Sequence, residues 1–266
     1  MKKVLITGAS GGIGEAMCRY FEQRGYSIIA HARDEAKARA VTNGTERVAV
    51  WGDLTKAEEV DALAGQVGKA GPVDLLVHNA GILSTDKTLG ANGLGIQAEV
   101  NVVAPARLTK ALAGHMSSDD PTVVIVSSTA ANFARSNDYT KIIEPNGSSL
   151  FGDYALSKAA ANALTIELAR VFEGMRILST EPGFVKTKMT HTNSHMPAPL
   201  RFLAKFASST PDKAAHRCFD HILATTPDSG IVVQAGKNID SAKRSWGKEE
   251  AFDSLRKLLA KAGVTL

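Results

Sequence analysis

The stretch Val4-Leu5-Ile6-Thr7-Gly8-Ala9-Ser10-Gly11-Gly12-Ile13-Gly14 decides the fold. An apolar, β-branched run enters a turn of small residues, and a helical pattern from Ile13 to Arg24 leaves it. A glycine-rich turn directly after a strand lets the backbone approach a pyrophosphate, which then rests on N–H groups of the following helix. Gly8 would make the tight turn. Gly12 and Gly14 would keep side chains out of the phosphate and out of the helix–strand contact. With Gly11 also present, the spacing fits both Thr-Gly-x-x-x-Gly-x-Gly and Thr-Gly-x-x-Gly-x-x-Gly, and the sequence does not choose between them.

Outward from this turn, short β-branched runs alternate with longer helical patterns. Strands are expected at Lys3–Thr7, Ser27–Ala32, Arg47–Trp51, Leu75–Asn79, Thr122–Ser127, Arg176–Glu181 and Ile231–Gln234. Helices are expected near Ile13–Arg24, Asp34–Val41, Ala57–Ala70, Gly95–Met116, Tyr154–Phe172 and Pro211–Ala224. This alternation predicts an α/β fold: a doubly wound, Rossmann-type parallel sheet of about seven strands with helices on both faces. Near-continuous apolar runs such as Val123-Val124-Ile125-Val126 suit strands buried on both sides. No linker or composition break marks a second domain, so residues 1–266 read as one unit. Three segments exceed the minimal pattern: a polar stretch at 133–153, a segment at 186–210 expected to act as a substrate lid, and a tail at 245–266 expected to form one more amphipathic helix.

The 266 residues, 44% of them apolar and 22% charged, suit a globular protein with a large core. The net charge is +4, and the 31 Lys and Arg residues are scattered, which argues against a nucleic-acid footprint. Cys18 and Cys218 are too few for a disulfide framework, and neither has metal-ligand spacing around it, so no metal is expected. The first strand begins almost at the N-terminus, and no apolar run approaches the ~20 residues that span a bilayer. A cytoplasmic protein with neither membrane nor nucleic-acid partners is expected.

The second strand ends Ile28-Ile29-Ala30-His31-Ala32-Arg33-Asp34. An acid at such a position accepts hydrogen bonds from ribose hydroxyls, whereas an arginine accommodates a 2′-phosphate. Ala32 stands where the acid is expected and Arg33 follows, which favours NADP(H) over NAD(H). Asp34 either pairs with Arg33 or begins the next helix. Far downstream, Tyr154-Ala155-Leu156-Ser157-Lys158 places a phenol and an ammonium one helical turn apart. A free phenol titrates near ~10, and an adjacent ammonium should lower that value. Ser127 and Ser128 end an apolar strand, delivering a hydroxyl to the sheet edge where it can donate to an oxygen gaining charge.

These elements together resemble the short-chain dehydrogenase/reductase family over nearly the full length. The matching elements are Thr7–Gly14, Asp53-Leu54, His78-Asn79-Ala80-Gly81, Asn101, Ser128, Tyr154 with Lys158, and Pro182-Gly183-Phe184-Val185-Lys186-Thr187. The resemblance implies that Tyr154 is the acid/base, that Ser128 orients the substrate, and that Asn101 holds a water in a relay with Lys158. It implies cofactor contacts from Gly8, Ser10, Gly12, Ile13, Gly14, Arg33, Asp53, Leu54, Asn79, Ala80, Gly81, Tyr154, Lys158, Pro182, Gly183, Val185 and Thr187. His78 replaces the first Asn of the family's usual Asn-Asn-Ala-Gly. The long spacing from Ser128 to Tyr154 makes 133–153 look like an insertion, and with the tail it resembles the retinol-dehydrogenase-like and carbonyl-reductase-like branches. The insertion could cover a helix surface used for dimerisation, so monomer and homodimer both stay open. The implied reaction interconverts an aldehyde or ketone and an alcohol. The cluster Leu200, Phe202, Leu203 and Phe206 suggests an apolar small-molecule substrate. A catalytically silent NADP(H)-binding sensor or scaffold, and an isomerase or dehydratase on the same fold, are the alternatives.

Overall fold

Each expected strand forms, and each is short, apolar and flanked by a turn. In the computed structural model, residues 1–84, 87–117, 119–144, 149–185 and 209–266 are described. The strands are β1 (Lys3–Ile6), β2 (Ser27–Ala32), β3 (Val48–Trp51), β4 (Leu75–His78), β5 (Thr122–Val126), β6 (Arg176–Thr180), β7 (Ile231–Gln234) and β8 (Lys237–Ile239). They form one sheet in the order β3-β2-β1-β4-β5-β6-β7-β8. Every pairing is parallel except β7 with β8.

The sheet thus has eight strands rather than about seven. The additional strand is the polar tripeptide Lys237-Asn238-Ile239, which carries no apolar periodicity of its own. Turn chemistry creates it. Ala235 and Gly236 both take positive φ, 49° and 73°, and fold β8 back on β7 as a two-residue hairpin.

The helices are α1 (Gly12–Glu22), α2 (Glu35–Thr42), α3 (Ala57–Lys69), α4, α5 (Leu150–Val171), α6 (Pro211–Thr225) and α7 (Glu249–Lys261). Here α4 denotes a continuous rod: α-helical Ile96–Ala98, π-helical Glu99–Val103, then α-helical Ala104–Leu112. Alternation within the strands assigns the helices to faces. Leu5, Ile29, Val123, Ile125 and Ile177 pack with α3, α4, α5 and α7, whereas Val4, Ile6, Val124, Val126 and Leu178 pack with α1 and α6.

One boundary differs instructively from the sequence expectation. Helix α5 begins at Leu150, because the Ser149 hydroxyl accepts the Gly152 N–H and caps it, so 150–153 belong to the helix rather than to a loop. The stretch ahead of it packs instead of hanging free: Tyr139 and Ile142 are fully buried, and Ser254 of α7 accepts the Tyr139 N–H. The tail forms α7, with Trp246 buried ahead of it as an anchor. The segment expected as a lid, with its Leu200–Phe206 cluster, lies in 186–208, outside the described residues. Its flanks meet where Val185 bridges Ser209. No helix among the described residues is long and apolar enough to cross a membrane.

Candidate active site

In this strand order the chain departs in opposite directions from β1 and β4, which opens a crevice above their carboxyl ends. The glycine turn occupies it. Gly8 and Gly12 adopt φ of 66° and 56°, conformations that exclude most side chains. A Cβ on Gly14 would lie 2.1 Å from the Gly8 carbonyl oxygen and 2.7 Å from Asn79 Nδ2. Gly11 has an extended backbone, and a methyl group there would meet nothing within 4 Å. Backbone conformation and crowding thus require glycine at 8, 12 and 14 and not at 11.

The turn is held from two sides. Asn79 Nδ2 donates to the carbonyls of Thr7 (2.9 Å) and Gly8 (3.2 Å), and Thr7 Oγ1 accepts the Ala80 N–H (3.0 Å). From β2, His31 Nδ1 accepts the Gly8 N–H at 3.2 Å, so Nε2 carries the proton and donates to Gly52 O at 2.9 Å. Burial pulls the His31 imidazole down to about 4, which keeps it neutral. Sequence reasoning missed His31 as a site residue. Its signal was a lone polar side chain between Ala30 and Ala32 inside an apolar strand. No side chain caps the N-terminus of α1, so its first N–H groups stay available to an anion, and this turn fits a dinucleotide pyrophosphate.

At the end of β2, Asp34 accepts the Lys37 N–H (2.9 Å) and pairs with Lys37 Nζ (2.7 Å). It is the N-cap of α2, and its salt bridge is to Lys37, with Arg33 acting on it only as a weaker nearby charge. Arg33 is exposed, and no ion pair among the described residues engages it. Asp53 turns its carboxylate onto Thr55, accepting from its N–H and hydroxyl, while Leu54 packs against the core. Ser10 is exposed at the turn and Ile13 leans on the α1 side of the sheet. His78, in place of the usual Asn, is buried against Thr109 Oγ1 at 2.8 Å.

The reactive groups gather above β4, β5 and α5. Lys158 Nζ donates to Val126 O (2.9 Å), and burial brings its ammonium down to about 8. A Cβ on Gly81 would stand 3.2 Å from both Lys158 Nζ and Asn101 Oδ1. Asn101 sits in the π-helical stretch of α4, an irregularity frequent at functional sites. Its amide donates to Ile82 O (3.0 Å) and Ser157 Oγ (2.9 Å) and accepts the Ile82 N–H (2.9 Å). Ser157, fully buried, donates to Tyr154 O at 2.8 Å. Sequence reasoning also missed Ser157, although it stands on the Tyr154–Lys158 face of the helix.

The Tyr154 phenol departs from expectation. Burial raises it above the usual phenol range, and the Ser128 hydroxyl offsets this only in part. Lys158 Nζ lies 5.9 Å from the ring centroid and spends a hydrogen on Val126 O, so desolvation outweighs its pull. Ser128 caps the 3₁₀ turn Thr129–Phe133 by accepting the Ala130 N–H at 3.1 Å.

The loop after β6 closes the site. Arg217 of α6 donates to Pro182 O at 2.7 Å and lies over Gly183, whose φ is 73°. Val185 is buried. Thr187 lies outside the described residues.

A model of the family described as short chain dehydrogenase matches residues 2–198. The chain belongs to the short-chain dehydrogenase family. It is 30% identical to an uncharacterized oxidoreductase of Emericella nidulans over 243 residues, 86% of this chain and 89% of that protein. It is also 30% identical to retinol dehydrogenase 14 of Mus musculus over 252 residues, 85% of this chain and 74% of that one. Among solved structures, it is similar to an alcohol dehydrogenase from the archaeon Thermococcus sibiricus complexed with 5-hydroxy-NADP, at TM-score 0.62 and 26% identity. That match covers 81% of this chain and 88% of the other. This short-chain dehydrogenase is thus an oxidoreductase of a family that binds a nicotinamide cofactor.

Proposed function

We propose that the protein is an NADP(H)-dependent oxidoreductase interconverting an apolar aldehyde or ketone and its alcohol. The observation that carries this reading is the convergence of Ser128, Tyr154, Lys158 and Asn101 at the same sheet edge as the glycine turn. When bound, NADP(H) supplies the hydride in reduction and takes it up in oxidation. The cofactor would be held by the α1 N-terminus and the turn Gly8–Gly14, with Asn79, Ala80, Gly81 and the Pro182–Val185 loop beside it.

Tyr154, raised by burial, bears its proton at neutral pH and is suited to donate it from Oη to the carbonyl oxygen. Ser128 donates a hydrogen bond to the same oxygen as charge develops there. Lys158 favours the phenolate once that proton has left. Its position is fixed by Val126 O, and the Asn101–Ser157 pair holds the Tyr154 backbone.

The exposed Arg33 following Ala32 supports a 2′-phosphate, as does the NADP analogue bound by the Thermococcus sibiricus relative. The retinol dehydrogenase relative supports an apolar alcohol or carbonyl. The test is Tyr154→Phe with a carbonyl panel read at the nicotinamide absorbance. Turnover should fall by ~10²–10⁴ with NADPH binding retained; retained turnover removes Tyr154 from this role.

A further inference from the structure

Apart from the two main cores, a third apolar cluster stands directly on the candidate acid. Leu83, Phe151, Tyr154 and Phe184 pack together, drawn from the loop after β4, from α5 and from the loop after β6. The cluster continues outward through neighbouring, mutually tilted rings. Tyr154 and Phe151 have centroids 6.4 Å apart at 45°, and Phe151 and Phe133 are 6.5 Å apart at 56°. Phe133 ends the 3₁₀ turn that Ser128 begins, and it is 50% exposed.

A solitary exposed aromatic needs no explanation, but this one is the outer end of a continuous strip that starts at the reacting phenol. The rings also sit at the tilts and separations at which aromatic groups attract one another, so a further ring laid against Phe151 would complete the stack. From the rest of the chain Leu83 and Phe184 add only apolar surface to the cluster.

We propose that Phe133, Phe151, Leu83 and Phe184 form the wall that selects the substrate's carbonyl substituent, and that the substrate is a ketone or aldehyde bearing an aryl group. This rests on the reading that a carbonyl is held between Ser128 and Tyr154. With the oxygen there, the ring of the substrate lies over Phe151 and reaches toward Phe133. Small or polar carbonyls leave the wall uncovered and bind weakly.

The test separates binding from turnover. Protein loaded with NADP⁺ forms a non-reacting complex with a ketone, so affinity reads the wall alone. Calorimetric titration with 2-butanone and with acetophenone should show about a tenfold or larger gain for the aryl ketone. Phe133→Ala and Phe151→Ala should each remove most of that gain. Phe151→Leu, which keeps the core filled but removes the ring, guards against loss of folding. Equal affinities in the wild type, or a gain that survives these substitutions, overturns the wall. Turnover of the same ketones with NADPH reads the underlying reaction. Acetophenone that binds through the phenylalanines yet is never reduced leaves the wall standing and refutes the carbonyl-reduction reading.

Discussion

His31 joins the glycine turn to Gly52, just after β3, only while it is neutral, which makes acid the sharpest probe of this fold. Protonating Nδ1 removes the acceptor of the Gly8 N–H, and the ring has no room for the water that would solvate its charge. Burial takes the group from 6.5 to about 4. Between those values the unfolded chain holds the proton and the folded chain does not. Stability therefore falls as pH drops from about 6.5 toward 4, with a slope of up to about 1.4 kcal/mol per unit and a total of roughly 3 kcal/mol.

His78, taken down to about 3, adds a slope of the same sign. The buried carboxyls of Glu99, Asp153 and Glu181 are raised by burial and act oppositely, since the folded chain takes up their protons first. The nearby Asp53 carboxylate favours His31 protonation and moderates its shift. A difference measurement isolates His31. In His31→Gln, the amide stands where Nε2 does, can donate to Gly52, and does not titrate. Urea unfolding at about pH 7, 6 and 5 should show the wild type losing stability faster than the variant across that window. Parallel losses in the two proteins would refute the argument that burial of a neutral imidazole holds the turn.

Three other outcomes test the site. Gly14→Ala places a methyl group against the Gly8 carbonyl and Asn79, and should weaken NADPH binding and cost about 1–3 kcal/mol in thermal unfolding; Gly11→Ala, facing open space, should cost only a few tenths. Arg33→Ala should raise the NADPH dissociation constant by about tenfold or more, as loss of a charge-assisted phosphate contact does, and leave NADH binding unmoved in parallel fluorescence titrations. Glu167, nearly buried and bonded by Arg256 at 2.6 Å, anchors α7 to α5. Glu167→Ala, by leaving the tail helix without that tie, should lower unfolding stability by about 1–3 kcal/mol in urea titration.

The fold was legible because its determinants are local. Runs such as Val123–Val126 can be buried only between two helical layers, and Ser-, Thr- and Asp-capped helices announce where they start. What stayed hidden depends on partners distant in sequence. The choice between Gly11 and Gly12 turns on backbone conformation, Gly12 at a φ of 56° and Gly11 extended before open space, and the crowding at Gly14 turns on the Gly8 carbonyl and on Asn79 Nδ2, 71 residues beyond Gly8; no spacing rule encodes either. Strand β8 arises from a hairpin rather than from its own residues. The sign of the Tyr154 shift follows from desolvation of a half-buried phenol, whereas the sequence shows only the lysine beside it.

Asn79 and Asn101 show how motif residues can be structural before any ligand is considered. Both hydrogens of the Asn79 amide go to the backbone of the glycine turn, and the Asn101 amide grips Ile82 through its N–H and its carbonyl at once. Asn101 then ties α4 to α5 through Ser157, which in turn holds the carbonyl of Tyr154. The π-helical turn lies at the centre of this arrangement. Asn101 stands inside it, and its one amide reaches both the loop at Ile82 and the neighbouring helix at Ser157. Gly81 completes the junction, since any side chain there would press on Asn101 and Lys158 together. The helix backbone at Tyr154, the Lys158 ammonium and the glycine turn are thus each placed by side-chain hydrogen bonds to or from backbone atoms, through Asn101 with Ser157, through Val126 O and through Asn79 in turn, before any ligand is considered.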